Sequence, residues 1–241
     1  MASEVFGIGG YKGAANERYI RNKAVISEYL QRYYYPYFEN MFNDISYEIS
    51  ETESLKMQGI DVKRIIHDSE GDIVHYIEEM PQLDSISRTR GPLNAFYIEL
   101  YNSATNEIGW YFDTESKSQY YLFVWPHTKE QFYTVDDITY AHFALVDKKI
   151  LQRFLLEIYE LDSEKLYDKA VELTEEPRGT KVRTGYKYTD LPFDADVYLY
   201  FKTAKSNRPV YLVMNRDLLF DLSEHCGTIA NGEMDLMKPK Y

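Results

Sequence analysis

The chain is poor in several residue types that anchor chemistry. Cysteine occurs once, as Cys226, in 241 residues. An intrachain disulfide and a thiolate metal site are therefore excluded, which points to a reducing interior. No apolar run approaches the roughly 18 residues that span a bilayer, so no membrane partner is expected. The N-terminus carries Phe6-Gly7-Ile8-Gly9-Gly10 but no basic segment followed by an apolar core. A cytoplasmic protein is the expectation. Those glycines lack the preceding strand and following Gly-Lys-Ser/Thr of a phosphate loop. His67, His75, His127, His142 and His225 show no metal-ligand spacing,. No Gly-x-Ser-x-Gly elbow is present.

Positive charge is also scarce, with 27 Lys and Arg against 39 Asp and Glu, a net charge of −12. A non-specific DNA-coating protein needs a broad positive field and is disfavoured. A metal-dependent nuclease is not, because bound cations cancel local negative charge. An acidic surface also suits a protein that binds basic partners. What is abundant is tyrosine, 24 residues, many within strand-like runs. Tyrosine fits a half-buried surface with a wet edge.

The sequence predicts a loose lead-in over residues 1–14, where glycines free the backbone. A helix follows over about 16–34, with Tyr19, Ile20, Lys23, Ala24, Ile26, Tyr29, Leu30, Tyr33 and Tyr34 near a 3.6-residue repeat,. Pro36 is expected to end or bend it. Strands are predicted at 45–50, 59–66 and 73–79. Asp68-Ser69-Glu70-Gly71-Asp72 forms the turn of a hairpin,. Further strands are predicted at 93–101, 109–112, 120–125, 140–146, 197–201 and 210–214, with helices at 147–161 and 163–173. Residues 174–194 carry Arg178, Lys181, Arg183 and Lys187 and read as a functional or partly disordered loop,. The expected organisation is one domain over 15–226 and a loose tail over 227–241.

Two strands carry acids where apolar residues are expected. Asp61 lies in Gly59-Ile60-Asp61-Val62, and Glu78-Glu79 ends the partner strand. Hairpin pairing brings opposite Cβ atoms to about 4.5–5.5 Å. Two carboxylates at that range can clamp a hard cation such as Mg²⁺. Taken singly, Asp61 is more often a turn or capping residue and Glu78-Glu79 a solvated edge. Occurring together across one hairpin, they favour a site.

Gln58-Gly59-Ile60-Asp61, Ile77-Glu78-Glu79, Phe96-x-x-Glu99, Gly109-Trp110 and Lys117 to Trp125, in that order, resemble the PD-(D/E)XK nuclease superfamily of phage and mobile-element genomes. The resemblance covers about residues 15–130. It implies an α/β domain of restriction-endonuclease-like architecture, a mixed central sheet flanked by helices. It further implies a Mg²⁺ (or Mn²⁺) site and phosphodiester hydrolysis in DNA, within a host cytoplasm if the source is a phage. Asp61 and Glu78 are then the metal ligands, and Glu79 adds a carbonyl or a second carboxylate. Arg88, Arg90 and Lys117 are candidates for phosphate contact.

One departure stands out. The family's lysine position is Met80, which neither orients nor activates water. Three accounts stand open. Lys63, two residues beyond Asp61, replaces the lysine and acts as a catalytic residue. Alternatively, the site still binds metal but is weakened. In the third account the chain is an inactive relative, an accessory factor that binds a host or virion protein through its acidic, tyrosine-rich surface. The oligomeric state is left open.

Overall fold

A computed structural model of the chain describes residues 14–56, 58–83, 94–113, 115–128, 134–177, 179–189, 194 and 196–239. The protein is mixed α/β, with two sheets and five α-helices among the described residues. The chain divides into two compact units, where the sequence predicted one domain. One unit holds Gly13–Asn94, Glu115–Lys149 and Leu219–Tyr241, and the other Ala95–Thr114 and Ile150–Leu218.

The first unit opens with helix α1, Ala14–Met41. Its stripe Ile26, Leu30, Tyr34 and Phe38, spaced by four, is almost fully buried, as a helix face against a sheet requires. Pro36 lies inside this helix instead of ending it. Proline in a helix interior costs about 3 kcal/mol. Burial of Tyr34, Tyr35 and Phe38 around it offsets that cost, at about 1.5–3 kcal/mol per large apolar side chain.

The strands of this unit are β1 (Ile45–Ile49), β2 (Val62–Ile66), β3 (Ile73–Pro81), β6 (Tyr120–Thr128), β7 (Ile138–Asp147), β12 (His225–Ala230) and β13 (Glu233–Met237), and they lie side by side in that order. A short helix α2 (Glu53–Lys56) links β1 to β2. All neighbours are antiparallel except β3 and β6. The β2–β3 turn forms as predicted. The Asp68 side chain accepts the Glu70 N–H at 2.9 Å, its carbonyl accepts the Gly71 N–H at 3.1 Å, and Gly71 takes φ +136°. The core packs the α1 stripe on Val62, Ile77, Leu122, Val124, Phe143, Leu145 and Ile229.

Residues 225–237 correct the expectation of a loose tail. They form a hairpin whose turn residues, Asn231 (φ +52°) and Gly232 (φ +81°), both adopt the left-handed region. This is the Asn-Gly geometry that matches strand twist. The Tyr29 hydroxyl donates to the Ile229 carbonyl at 3.0 Å, which ties β12 to α1.

The second unit contains β4 (Ala95–Asn102), β5 (Glu107–Ile108), β8 (Thr180–Val182), β9 (Gly185–Tyr188), β10 (Val197–Phe201) and β11 (Pro209–Asn215). They form an antiparallel sheet in the order β5-β4-β11-β10-β9-β8. Here β4, the strand predicted at 93–101, pairs with β11. The predicted strand at 109–112 is a 3-10 turn, Trp110–Phe112. The predicted loop at 174–194 contains the β8–β9 hairpin. Helices α3 (Lys148–Tyr159), α4 (Ser163–Glu175) and α5 (Arg216–Asp221) complete the chain. Asp162 caps α4, accepting the Lys165 N–H at 2.8 Å.

Candidate active site

Val62 pairs with Ile77, so Asp61, one residue earlier, comes opposite Glu78 at the end of the β2–β3 ladder. The Asp61 N–H donates to the Ile77 carbonyl at 3.0 Å, and the Glu79 N–H donates to Asp61 Oδ2 at 2.9 Å. Backbone pairing thus fixes Asp61 between the two glutamates. Alternation sends the glutamates to opposite faces of β3. Glu79 turns toward α1, is 2% exposed, and accepts a 2.7 Å hydrogen bond at Oε1 from Tyr35. Glu78 is partly exposed, and its Oε2 accepts from Ser118 at 3.2 Å.

Gly59 makes this approach feasible. Its φ is +69°, and a Cβ there would stand 2.6 Å from Ser116 Oγ and 2.9 Å from Glu78 Oε2. Only a residue without a side chain lets the backbone pass so close to the carboxylate.

Two lysines flank the acids. Lys23 of α1 donates to both Asp61 oxygens, at 3.0 and 3.3 Å. Lys148, the first residue of α3, donates to Ser118 Oγ at 3.2 Å and Ser116 Oγ at 3.3 Å, and lies 4.6 Å from the Tyr121 ring centre. Burial lowers the basicity of Lys23, but Asp61, Tyr19 and Glu78 together outweigh it and the net shift is upward. Lys23 stays protonated.

Burial first, and Asp61 next door, push the Glu78 carboxyl up to about 7, against the pull of Lys23 and Lys148. Burial and Asp61 likewise push Glu79 up to about 7, against hydrogen bonds from Tyr35 and Ser27. Both carboxyls therefore exchange protons near neutral pH.

Among the described residues no group of three or more His, Cys, Asp or Glu is arranged as a metal cage. Mg²⁺ needs less, since it keeps several waters and is commonly held by one or two carboxylates. Asp61 and Glu78, on neighbouring strands beside Lys23, are the carboxylates that could hold one. Burial is the first cause of the raised Glu78 carboxyl, and Asp61 is a smaller one. The Glu79 carboxylate, committed to Tyr35, faces away from Glu78.

The structure thus brings together Asp61, Glu78 and the Glu79 backbone. It does not bring Lys63 to them. Glu48 lies opposite Lys63 across β1–β2 and takes its ammonium at 3.3 Å. Met80 is partly exposed beside Phe123 in register. Lys117 is exposed at the rim, its N–H donating to the Gln58 carbonyl at 2.9 Å. Arg88 and Arg90 lie outside the described residues. Glu99 and Phe96 are on β4, in the other unit.

Sequence reading missed Lys23, Ser118 and Lys148. Lys23 did leave a signal, because it occupies a position within the apolar repeat of α1, three residues before buried Ile26. A cation in an apolar stripe needs a buried partner. Ser118 and Lys148 left no comparable mark. Among the described residues no helix is long and apolar enough to cross a membrane. Comparison with known protein families, with functionally described proteins and with solved structures yields no match.

Proposed function

We propose that the acid centre is a divalent-cation site for phosphodiester hydrolysis in DNA, with Lys23 supplying the ammonium that Met80 lacks. The observation that carries this reading is the Lys23–Asp61 contact at 3.0 Å beside Glu78. A lysine arrives at the acid pair from α1, a different element from the one that carries the motif. Asp61 and Glu78 would hold the cation, whose chemistry is to polarise a phosphoryl oxygen and acidify a bound water. Lys23 is the direct counter-ion of Asp61 and offers positive charge to a phosphate oxygen. Glu78, with its carboxyl near 7, can take up or release a proton at Oε2,. Ser118 and Lys148 hold that oxygen in place.

The test is plasmid cleavage with Mg²⁺ or Mn²⁺. Wild type is expected to nick or linearise the plasmid, and Asp61→Ala and Lys23→Met are expected to lose that activity. Cleavage that survives Asp61→Ala would show that another site is responsible. A second reading, an inactive fold acting as a protein-binding factor, is favoured by the Lys23–Asp61 ion pair itself, which neutralises one of the two ligands. Absence of cleavage by wild type under both metals, with no metal-induced rise in melting temperature, supports that reading instead.

A further inference from the structure

The sheet of the second unit carries an aromatic and cationic face that the acid centre does not use. Along β10, Val197, Leu199 and Phe201 are buried while Tyr198 and Tyr200 are partly exposed. Along β4, Phe96, Ile98 and Leu100 are buried while Tyr97 is partly exposed. The registers Tyr97↔Val213↔Tyr198 and Tyr200↔Lys187 put Tyr97, Tyr198, Tyr200 and Lys187 on one face. Tyr211, opposite Tyr200, lies among them at 6% exposure.

These rings hold one another in place. Tyr97 stands edge-on to Tyr200 at 6.1 Å and to Tyr211 at 5.7 Å, and its hydroxyl bonds that of Tyr198. Cations are interleaved. Lys187 Nζ lies 3.8 Å from the Tyr198 ring centre, and Lys205 Nζ donates to the Tyr211 hydroxyl at 3.2 Å. Residues 178–208 hold seven Lys or Arg and three Asp, within a chain of net charge −12. Positive charge is therefore concentrated on the segment that builds this face. Asp194 is occupied locally, by the Tyr159 hydroxyl and the Asp196 and Val197 N–H groups. Glu99, opposite Tyr211, is the acid nearest in register.

We propose that this face binds single-stranded nucleic acid, with bases stacking on Tyr198 and Tyr200 and phosphates meeting Lys187 and Lys205. Tyrosines two residues apart on a strand are about 7 Å apart. A preorganised row of rings beside a cationic edge is the combination that grips an unpaired strand without reading its sequence. An acidic peptide would use the lysines and leave the rings without a stacking partner. Duplex DNA keeps its base faces stacked inside and would find no use for them.

The test uses the full chain in EDTA, so that binding is read apart from any cleavage. Fluorescence anisotropy follows labelled (dT)20, with a 20-base-pair duplex and poly-glutamate as competitors. Wild type should prefer the single strand by about tenfold or more. Replacing Tyr198 and Tyr200 together by Ala should weaken binding by about tenfold or more, while the Phe pair should stay within about threefold. Replacing Lys187 and Lys205 by Ala should reduce the slope of log K against log salt by about 1.4, near 0.7 per lost phosphate contact. Three results would overturn the proposal: no saturable binding by folded wild type, equal competition by duplex or poly-glutamate, or unchanged binding by a folded Ala pair. Should the Ala pair misfold, the Phe pair and the salt slope still decide. A protein that binds (dT)20 but cuts nothing sustains this inference and defeats the nuclease reading, so the two fail separately.

Discussion

Asp61 directly precedes strand β2 and Arg64 is its middle residue, and the two differ in how their charge is met. Asp61 is flanked by Glu78 and Glu79, with Lys23 as its direct counter-ion. Three residues on, Arg64 has a side chain only 3% exposed. It grips Glu224 at 2.8 and 3.3 Å, meets His75 Nδ1 at 3.1 Å and covers the Tyr120 ring at 4.6 Å. Burial would raise the Glu224 carboxyl, yet hydrogen bonds from His225 and Arg64 pull it down to about 2. The carboxyls beside Asp61 move the other way, to about 7. One cluster is a balanced ion pair between the middle of β2 and the residue that precedes β12. The other leaves two buried carboxyls only partly compensated, a perturbation that clusters at functional sites.

The largest effect expected at the acid centre is catalytic. Lys23→Met should lower plasmid cleavage by about 10²–10⁴-fold, the range for removing a positioned proton-handling or charged group. Lys63→Met, by contrast, should leave cleavage within about twofold. The reverse ranking in initial rates would return the role to Lys63.

Next comes the balanced pair. Glu224→Gln leaves Arg64 buried without its counter-ion and should cost about 2 kcal/mol in urea unfolding, discounted from the buried-pair range because Glu224 is 39% exposed,. A loss no larger than that of a surface substitution would mean that the packing of Arg64, not its charge partner, stabilises this part of the sheet.

The pH dependence of stability should separate the two clusters. The folded carboxyl of Glu79 binds its proton more tightly than the unfolded one, 7 against 4.5. Its protonation therefore favours the folded state below about 4.5, and that contribution is lost as pH rises through 7. Glu78 has the same sign, so Glu79→Gln should remove only its own share of the decline between pH 5 and 8, roughly 1 kcal/mol per pH unit, and be more stable than wild type at pH 8. Glu224 has the opposite sign. Its contribution is present above 4.5 and lost as pH falls toward 2,. Chemical denaturation in steps from pH 3 to 8 checks both limbs, and parallel curves for wild type and Glu79→Gln above pH 5 would contradict the first.

A smaller effect is expected at Gly59. Alanine there meets a left-handed backbone and two oxygens within 3 Å, so a cost of about 1–2 kcal/mol follows. Melting of Gly59→Ala at wild-type temperature would show that the Glu78 carboxylate moves freely.

The sequence by itself determined the β2–β3 hairpin, the pairing of Asp61 with Glu78, and the apolar stripe of α1. All three follow from periodicities of 2 and 3.6 and from turn chemistry at Asp68 and Gly71, which act over a few residues. The Asn231-Gly232 hairpin was equally legible and was read as tail, because the alternation around it is short. Tertiary structure alone decided which lysine meets the acids. Lys63 is close in sequence, but strand pairing sets it opposite Glu48. Lys23 is 38 residues from Asp61, yet packing of the α1 stripe delivers it to 3.0 Å. The same long-range packing carried β4 away from the acidic strands and into a second sheet. Local pattern sets which face a residue occupies, whereas what that face meets depends on contacts between segments far apart in the chain.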